Sequence, residues 1–165
     1  MQSAAHWYAV YTRARHEKAV DRVLRSRGVT SFLPVQEVLS QWKDRRKWVT
    51  KPLFPGYLFV CSEPERLGRV SSVRGVVHVV GNGQGPIRVP DDQVEAVRRM
   101  VEKRVPLDPW PYMREGRRVR VREGPLIGME GFIVRRKKKC RLVVSVDLLG
   151  RSVATEVDAA AAELV

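Results

Sequence analysis

Residues 115–134 read EGRRVRVREGPLIGMEGFIV, and this stretch predicts two strands joined by a turn. Val119 and Val121 alternate with arginines, so one face of the first strand is apolar and the other is charged. The glycines at 124, 128 and 131 permit backbone bends that a side chain would forbid. We therefore expect a β-hairpin whose apolar face belongs to a core.

The alternation continues beyond this hairpin to the carboxyl terminus. Short apolar runs at 141–146 and 152–157 are separated by glycines and charged residues, and the helical period is absent. Closely spaced strands of this length predict a small SH3-like β-barrel over residues 114–165. The glycines alone would fit any barrel of that class.

The amino-terminal part has a different organisation, in which strands and helices alternate. WYAVY at 7–11 and LFPGYLFV at 53–60 are rich in aromatic and β-branched residues and predict strands. Residues 16–27 carry an apolar stripe at helical spacing, and a second helix is expected to begin at Asp91. This order predicts an α+β fold, an antiparallel sheet with flanking helices, over residues 1–105.

A proline-rich segment separates the two parts. VPLDPWPY at 105–112 contains three prolines, so a helix cannot continue through it and the chain should be extended. We expect a linker at 106–113 between a first domain, 1–105, and a second domain, 114–165.

The charge of the chain points to nucleic acid. Its 165 residues contain 31 Lys and Arg against 18 Asp and Glu, a formal net charge of +13. An excess of this size favours encounter with a polyanion, although it does not determine the fold.

Other features exclude whole classes of function. Cys61 and Cys140 have no second Cys or His at ligand spacing, so no metal or other cofactor is expected. The three histidines are scattered, and neither a phosphate-binding glycine loop nor a nucleophile elbow is present, so we expect no enzyme. With no signal peptide and no apolar run near the roughly eighteen residues of a membrane span, we expect a cytoplasmic protein without a membrane partner.

Several stretches resemble a known family, and they occur in the family's order. Residues 115–134 resemble a KOW motif, and 144–151 resemble its last strand pair. Residues 7–12, 53–60 and 73–77 resemble the signature segments of the NGN domain. The sequence is therefore similar to the NusG family of transcription elongation factors, with an NGN domain followed by a KOW domain, and in particular to specialised antiterminators of the UpxY and RfaH type.

The resemblance implies a monomer that binds RNA polymerase. Family members contact the clamp helices of the largest subunit through an apolar depression on the NGN domain and bridge to the opposite lobe. Pro55-Gly56 also breaks the strand pattern and sets two aromatic rings at a two-residue interval. The rings of Tyr57 and Phe59 could equally be buried in the core. The residues implied at the polymerase are Phe54, Pro55, Tyr57, Phe59 and Val97, with Arg66 and Arg69 facing the opposite lobe.

Two basic clusters of the first domain are candidates for binding nucleic acid. In specialised members of the family, a surface at the start of the first helix contacts the non-template DNA strand. Here it would consist of Arg13, Arg15, His16, Lys18 and Arg74. The second cluster, in which Trp42 and Trp48 are interleaved with cations for base stacking, is expected to contact upstream DNA through Lys43, Arg45, Arg46 and Lys47. Both clusters could instead be solvated surface.

The second domain of a NusG protein recruits Rho or a small-subunit ribosomal protein, which here implies Met129, Phe132, Leu148 and Leu149. The family often has an aromatic residue where Met129 and Leu149 stand, and this departure favours antitermination over the role linked to Rho. A housekeeping NusG that couples to Rho or the ribosome remains an alternative. A separate KOW-type module that binds RNA or the ribosome is another, but it leaves the first-domain motifs unexplained. No role is assigned to the basic run at 135–139.

Overall fold

The computed structural model describes residues 4–136 and 139–165. Lys137 and Lys138, from the basic run noted above, lie outside the described residues. The chain divides into two compact units, Met1–Asp91 and Asp92–Val165.

The elements within residues 4–91 are β1 (His6–Thr12), α1 (Glu17–Ser26), β2 (Thr30–Phe32), β3 (Val35–Trp42), β4 (Arg45–Pro52), β5 (Tyr57–Ser62), α2 (Leu67–Ser71) and β6 (Val76–Val79). Four of these strands form an antiparallel sheet in the order β2-β5-β1-β6. Strands β3 and β4 form a separate two-stranded hairpin. A short 3-10 turn, Pro64–Arg66, precedes α2.

Helices α1 and α2 cover one face of this sheet. Tyr8 and Val10 of β1 lie opposite Val60 and Leu58 of β5. Residues two apart on a strand share a face, so these four side chains lie on the same side of the sheet. Each fully buried aliphatic side chain stabilises the fold by about 1.5–3 kcal/mol. The core cluster they share with the helices also contains Val20, Leu24, Leu67, Val70 and Val73.

The described part of the second unit contains a helix and six strands: α3 (Asp91–Glu102), β7 (Asp108–Trp110), β8 (Arg117–Val121), β9 (Glu130–Arg136), β10 (Lys139–Val146), β11 (Arg151–Val157) and β12 (Ala162–Leu164). The strands form one sheet in the order β12-β8-β9-β10-β11-β7. All of its strand pairs are antiparallel. The expected small barrel is confirmed, as is the α+β character of the chain.

The hairpin expected from residues 115–134 is formed by β8 and β9, with Val119 opposite Gly131. Val119 and Val121 are buried, as their alternation with arginines predicts. Gly131 has no room for a side chain, because a Cβ there would lie 2.7 Å from the carbonyl oxygen of Val143. The turn closes with a hydrogen bond from the Gly128 amide to the Val121 carbonyl at 2.8 Å.

The proline-rich segment is extended, but part of it belongs to the sheet. Residues 108–110 form β7, which pairs with β11 at its edge. Proline is tolerated at such an edge because it need not donate a hydrogen bond. Thr155 Oγ1 donates to the Pro106 carbonyl at 2.7 Å and fixes the approach to β7. The expected domain boundary at 106–113 stays a prediction, and α3 groups with the second unit.

Candidate functional site

Three rings lie side by side across three neighbouring strands of the first unit. Tyr11 of β1 lies opposite Tyr57 of β5 and His78 of β6. The ring centroids of Tyr11 and Tyr57 are 5.2 Å apart, and those of Tyr11 and His78 are 5.4 Å apart. We name these three residues the aromatic row. Tyr11 is 37% exposed, so the row offers a rigid aromatic contact at the surface.

The polymerase-contact residues expected from the resemblance separate into exposed and buried sets. Pro55 is exposed and Tyr57 is half-buried. Phe54 and Phe59 are only 2% and 0% exposed, and their rings meet edge to face at a centroid distance of 6.3 Å. Phe59 also stacks on Phe32 at 6.1 Å. The burial of Phe59 agrees with the core alternative, and Phe54 is buried as well. The expected contact of these two rings with the polymerase stays a prediction.

The remaining expected polymerase residues lie on other elements. Arg66, in the 3-10 turn, and Arg69, on α2, are both exposed. Arg66 Nε lies 3.9 Å from the carboxylate of Glu63, a loose pair that leaves the guanidinium available. Val97 is fully buried in α3. Its expected part in the polymerase contact stays a prediction.

The turn that carries Pro55 and Gly56 is fixed from two sides. Gly56 has φ +86°, and a Cβ on it would lie 3.2 Å from Cε2 of Tyr11. The Thr12 amide donates to the Gly56 carbonyl at 2.8 Å. The Gly56 amide donates to Oε1 of Glu17 at 3.2 Å. The turn is therefore held against both β1 and the first turn of α1.

Glu17 is a site residue that sequence reasoning misses. Oε1 of its buried carboxylate accepts a hydrogen bond from the Gly56 amide. The same oxygen accepts a second hydrogen bond from the Arg15 amide at 3.2 Å. Arg15 has φ +65°, an uncommon conformation for a residue other than glycine. An acidic residue in the first turn of a helix is common on dipole grounds, so the sequence gives no signal for this second role.

The five residues predicted to meet the non-template strand lie on adjoining segments. The Arg13 amide donates to the Gly75 carbonyl at 2.8 Å. Gly75 packs so closely that a Cβ would lie 3.3 Å from Cβ of His16 and 3.0 Å from Cγ2 of Val20. The turn that carries Arg74 is thereby placed against the start of α1. We name the exposed residues Arg13, Arg15, His16, Lys18 and Arg74 the basic patch.

The β3–β4 hairpin joins this patch through one contact. Lys18 Nζ donates to the carbonyl oxygen of Thr50 on β4 at 2.6 Å. Farther along the hairpin, Trp42 and Trp48 are 61% and 66% exposed. The four cations predicted to bind nucleic acid here are exposed as well: Lys43, Arg45, Arg46 and Lys47.

In the second unit, the residues expected to recruit a partner differ in accessibility. Met129 is buried, and its expected role as a contact residue stays a prediction. Phe132, Leu148 and Leu149 are half-buried. The guanidinium of Arg118 lies 5.5 Å from the centre of the Phe132 ring and covers part of it.

Asp147, beside Leu148, forms a small polar network within the second unit. Its carboxylate accepts the Tyr112 hydroxyl at 2.7 Å and the Gln93 side-chain amide at 3.0 Å. The Asp147 amide in turn donates to Oε1 of Gln93 at 3.1 Å. Hydrogen bonding to Asp147 is the main reason that the pKa of Tyr112 lies above its ordinary value.

Among residues 4–136 and 139–165, no group of three or more His, Cys, Asp or Glu side chains is placed to hold a metal ion. None of their helices has the length and apolar character needed to span a membrane.

The fold and this site define a protein with an α+β unit that bears an aromatic and basic surface, followed by a unit built on a small β-barrel. The family model described as "Transcription termination factor nusG" matches residues 5–98. The chain belongs to the NusG family. It is a NusG-like transcription termination/antitermination factor, and the family consists of transcription factors rather than enzymes.

Individual relatives agree over nearly the whole chain. The transcription termination/antitermination protein NusG of Chlamydia pneumoniae is 30% identical, over 92% of this chain and 89% of the relative. The protein of the same name from Borreliella burgdorferi is 29% identical, over 92% of this chain and 94% of the relative. A solved structure of domain interaction in Thermotoga maritima NusG matches with a TM-score of 0.57 at 22% identity, over 96% of each chain, which supports the fold.

Proposed function

We propose that this chain is an antitermination factor that binds RNA polymerase through the aromatic row and contacts the unpaired non-template DNA strand through the basic patch. Tyr57 and Pro55 meet the clamp helices of the largest subunit, while Arg66 and Arg69 reach the opposite lobe. The factor acts as a monomer in the cytoplasm, on the nucleoid wherever polymerase transcribes.

The observation that carries the proposal is the double hydrogen bond of Glu17. One buried oxygen holds the amide of Gly56, next to Tyr57, and the amide of Arg15, in the basic patch. The aromatic row and the basic patch are therefore linked through one buried side chain. A protein seated on polymerase through the rings would keep its cations at a fixed place beside the emerging DNA strand.

The chemistry of each half fits its proposed partner. Exposed tyrosines combine a large apolar area with few rotatable bonds, and aromatic residues are enriched among those that dominate protein interfaces. Phe54 and Phe59 hold the strand that carries Tyr57 and do not touch the polymerase. Arginines bind phosphates, pair with guanine and stack on unpaired bases, which suits a strand displaced from its duplex.

A second candidate is the housekeeping role, in which the barrel recruits Rho or a ribosomal protein. The half-buried Phe132, Leu148 and Leu149 favour it, because they leave an apolar edge partly accessible. Burial of Met129 and the absence of an aromatic ring at position 149 support antitermination instead.

Two assays on the full chain test the proposal. In a pull-down with purified RNA polymerase, Tyr57→Ala and Tyr11→Ala should lose binding, whereas Trp48→Ala, an exposed aromatic outside the row, should retain it. In transcription through a terminator, the wild type should raise read-through, and Arg13→Ala with Arg74→Ala should abolish this effect while polymerase binding persists. Equal binding by Tyr57→Ala and the wild type would exclude the proposed contact, and reduced read-through would support the housekeeping role.

A further inference from the structure

The two faces of the β3–β4 hairpin have different chemistry. Because directly opposite residues share a face, Trp42 lies with Arg45, its partner across the hairpin, and with Lys47 and Lys51. We name this the Trp42 face. Trp48 lies on the other face with Leu39, its cross-strand partner, and with Arg46 and Glu37. The sequence run alone does not separate the two tryptophans in this way.

Charge is concentrated on the Trp42 face. It carries three cations and no acidic residue, whereas the Trp48 face carries one cation, Arg46, and one acidic residue, Glu37. Within residues 4–136 and 139–165, Arg45, Lys47 and Lys51 form no ion pair. Their charges are therefore available to an anionic ligand. Arg45 and Lys47 are two positions apart on one strand, a spacing of about 7 Å that suits successive phosphates of an extended strand.

We infer that the Trp42 face is a binding site for single-stranded DNA, in which Trp42 stacks on an unpaired base and Arg45, Lys47 and Lys51 contact the backbone. An indole that is mostly exposed and flanked by cations is the arrangement that proteins use for single strands. Bases in a duplex are already stacked on one another and would leave the indole unused.

The hydrogen bond from Lys18 Nζ to the backbone carbonyl of Thr50 connects the hairpin to the basic patch. The inference rests on the proposed function to this extent: it assigns the ligand to DNA because the patch is proposed to meet the non-template strand. The displaced strand then runs from Arg13 and Arg74, past Lys18, onto the hairpin. The hairpin extends the DNA contact by a stacking site that reads no particular sequence.

The inference is tested by fluorescence anisotropy with the full chain and labelled oligonucleotides of mixed sequence, about 12 nucleotides long. Three probes of the same sequence are compared: single-stranded DNA, duplex DNA and single-stranded RNA. The wild type should bind the DNA single strand most tightly. Trp42→Ala should weaken this binding about tenfold, and Trp48→Ala, the matched control in the same hairpin, by less than about twofold. Arg45→Ala with Lys47→Ala should flatten the dependence on salt by about one unit of slope.

Equal effects of the two tryptophan variants, or tighter binding of the duplex, would overturn the inference, and tighter binding of RNA would overturn the assignment to DNA. Circular dichroism of each variant checks that the fold is retained. The polymerase pull-down separates this result from the proposed function. If Trp42→Ala loses DNA binding but the wild type fails to bind polymerase, only the proposed function fails. If the wild type binds polymerase and Trp42→Ala binds DNA as well as Trp48→Ala does, only this inference fails.

Discussion

Oε1 of Glu17 accepts a hydrogen bond from the amide of Gly56 at 3.2 Å, although the two residues are 39 positions apart in the sequence. The same oxygen accepts the Arg15 amide. A buried amide left without an acceptor costs about 1–3 kcal/mol, so this carboxylate helps to hold both the turn and the start of α1.

Replacement of Glu17 should therefore impair two surfaces at once. We expect Glu17→Ala to lower the free energy of unfolding by about 2 kcal/mol and to weaken binding to both polymerase and single-stranded DNA. Glu17→Gln keeps an acceptor oxygen and should cost less than about 1 kcal/mol. Urea unfolding and the two binding assays measure these effects. Loss of only one kind of binding in Glu17→Ala would contradict the shared constraint.

A side chain at position 56 should be more harmful than one at position 28. Both glycines have positive φ, +86° and +76°, but only Gly56 has a ring within reach of a new Cβ. We expect Gly28→Ala to cost about 1 kcal/mol from its backbone conformation, and Gly56→Ala about 2 kcal/mol because Tyr11 must also move. Denaturant titration gives the stabilities. Polymerase affinity should fall for Gly56→Ala alone, and an equal fall in both variants would refute the role of the Tyr11 contact.

The barrel has a similar pair of glycines. A Cβ at Gly131 would meet the Val143 carbonyl, whereas Gly124, with φ +92°, has open space around it. We expect Gly131→Ala to destabilise by about 3 kcal/mol through displacement of β9 from β10, and Gly124→Ala by about 1 kcal/mol. Thermal unfolding of the full chain measures both. The reverse order of stabilities would be inconsistent with the strand pairing described here.

The Tyr112–Asp147 hydrogen bond should make stability depend on alkaline pH. Because the pKa of Tyr112 is raised in the folded chain, its contribution is fully present below the unfolded value of about 10 and is lost as pH rises through the folded value. Titration of the Tyr112 ring by NMR should give a lower midpoint in Asp147→Ala, and an unchanged one in Asp158→Ala. The destabilisation caused by Tyr112→Phe at neutral pH should vanish above the folded pKa. A difference that persists there would show that the hydroxyl proton is not responsible.

Local patterns predicted much of the fold because they encode which face of an element is buried. Valines that alternate with arginines predicted β8, and apolar residues at helical spacing predicted α1 and α3. The short helix α2 was missed, since five residues are too few to show a helical period. The extended chain at 105–112 was predicted, but the pairing of residues 108–110 with β11 was not, because prolines do not indicate whether another strand lies beside them.

The candidate site was predicted less completely. Tyr57 and Pro55 could be named from a motif, but Tyr11 and His78 joined them only through the register of three strands. Phe54 and Phe59 have the same aromatic character as Tyr57, so composition could not show that they are buried.

The sequence by itself determined the family, the order of an α+β part and a barrel, and the excess of positive charge, because motifs, periodicity and composition are local properties. Only the tertiary structure decided which rings face outward, that Glu17 joins Arg15 to Gly56, and that Trp42 and Trp48 lie on opposite faces of one hairpin. These relationships depend on strand register and on contacts between distant segments. A shift of one residue in the register of this hairpin would place both tryptophans on the same face without changing a single letter of the sequence.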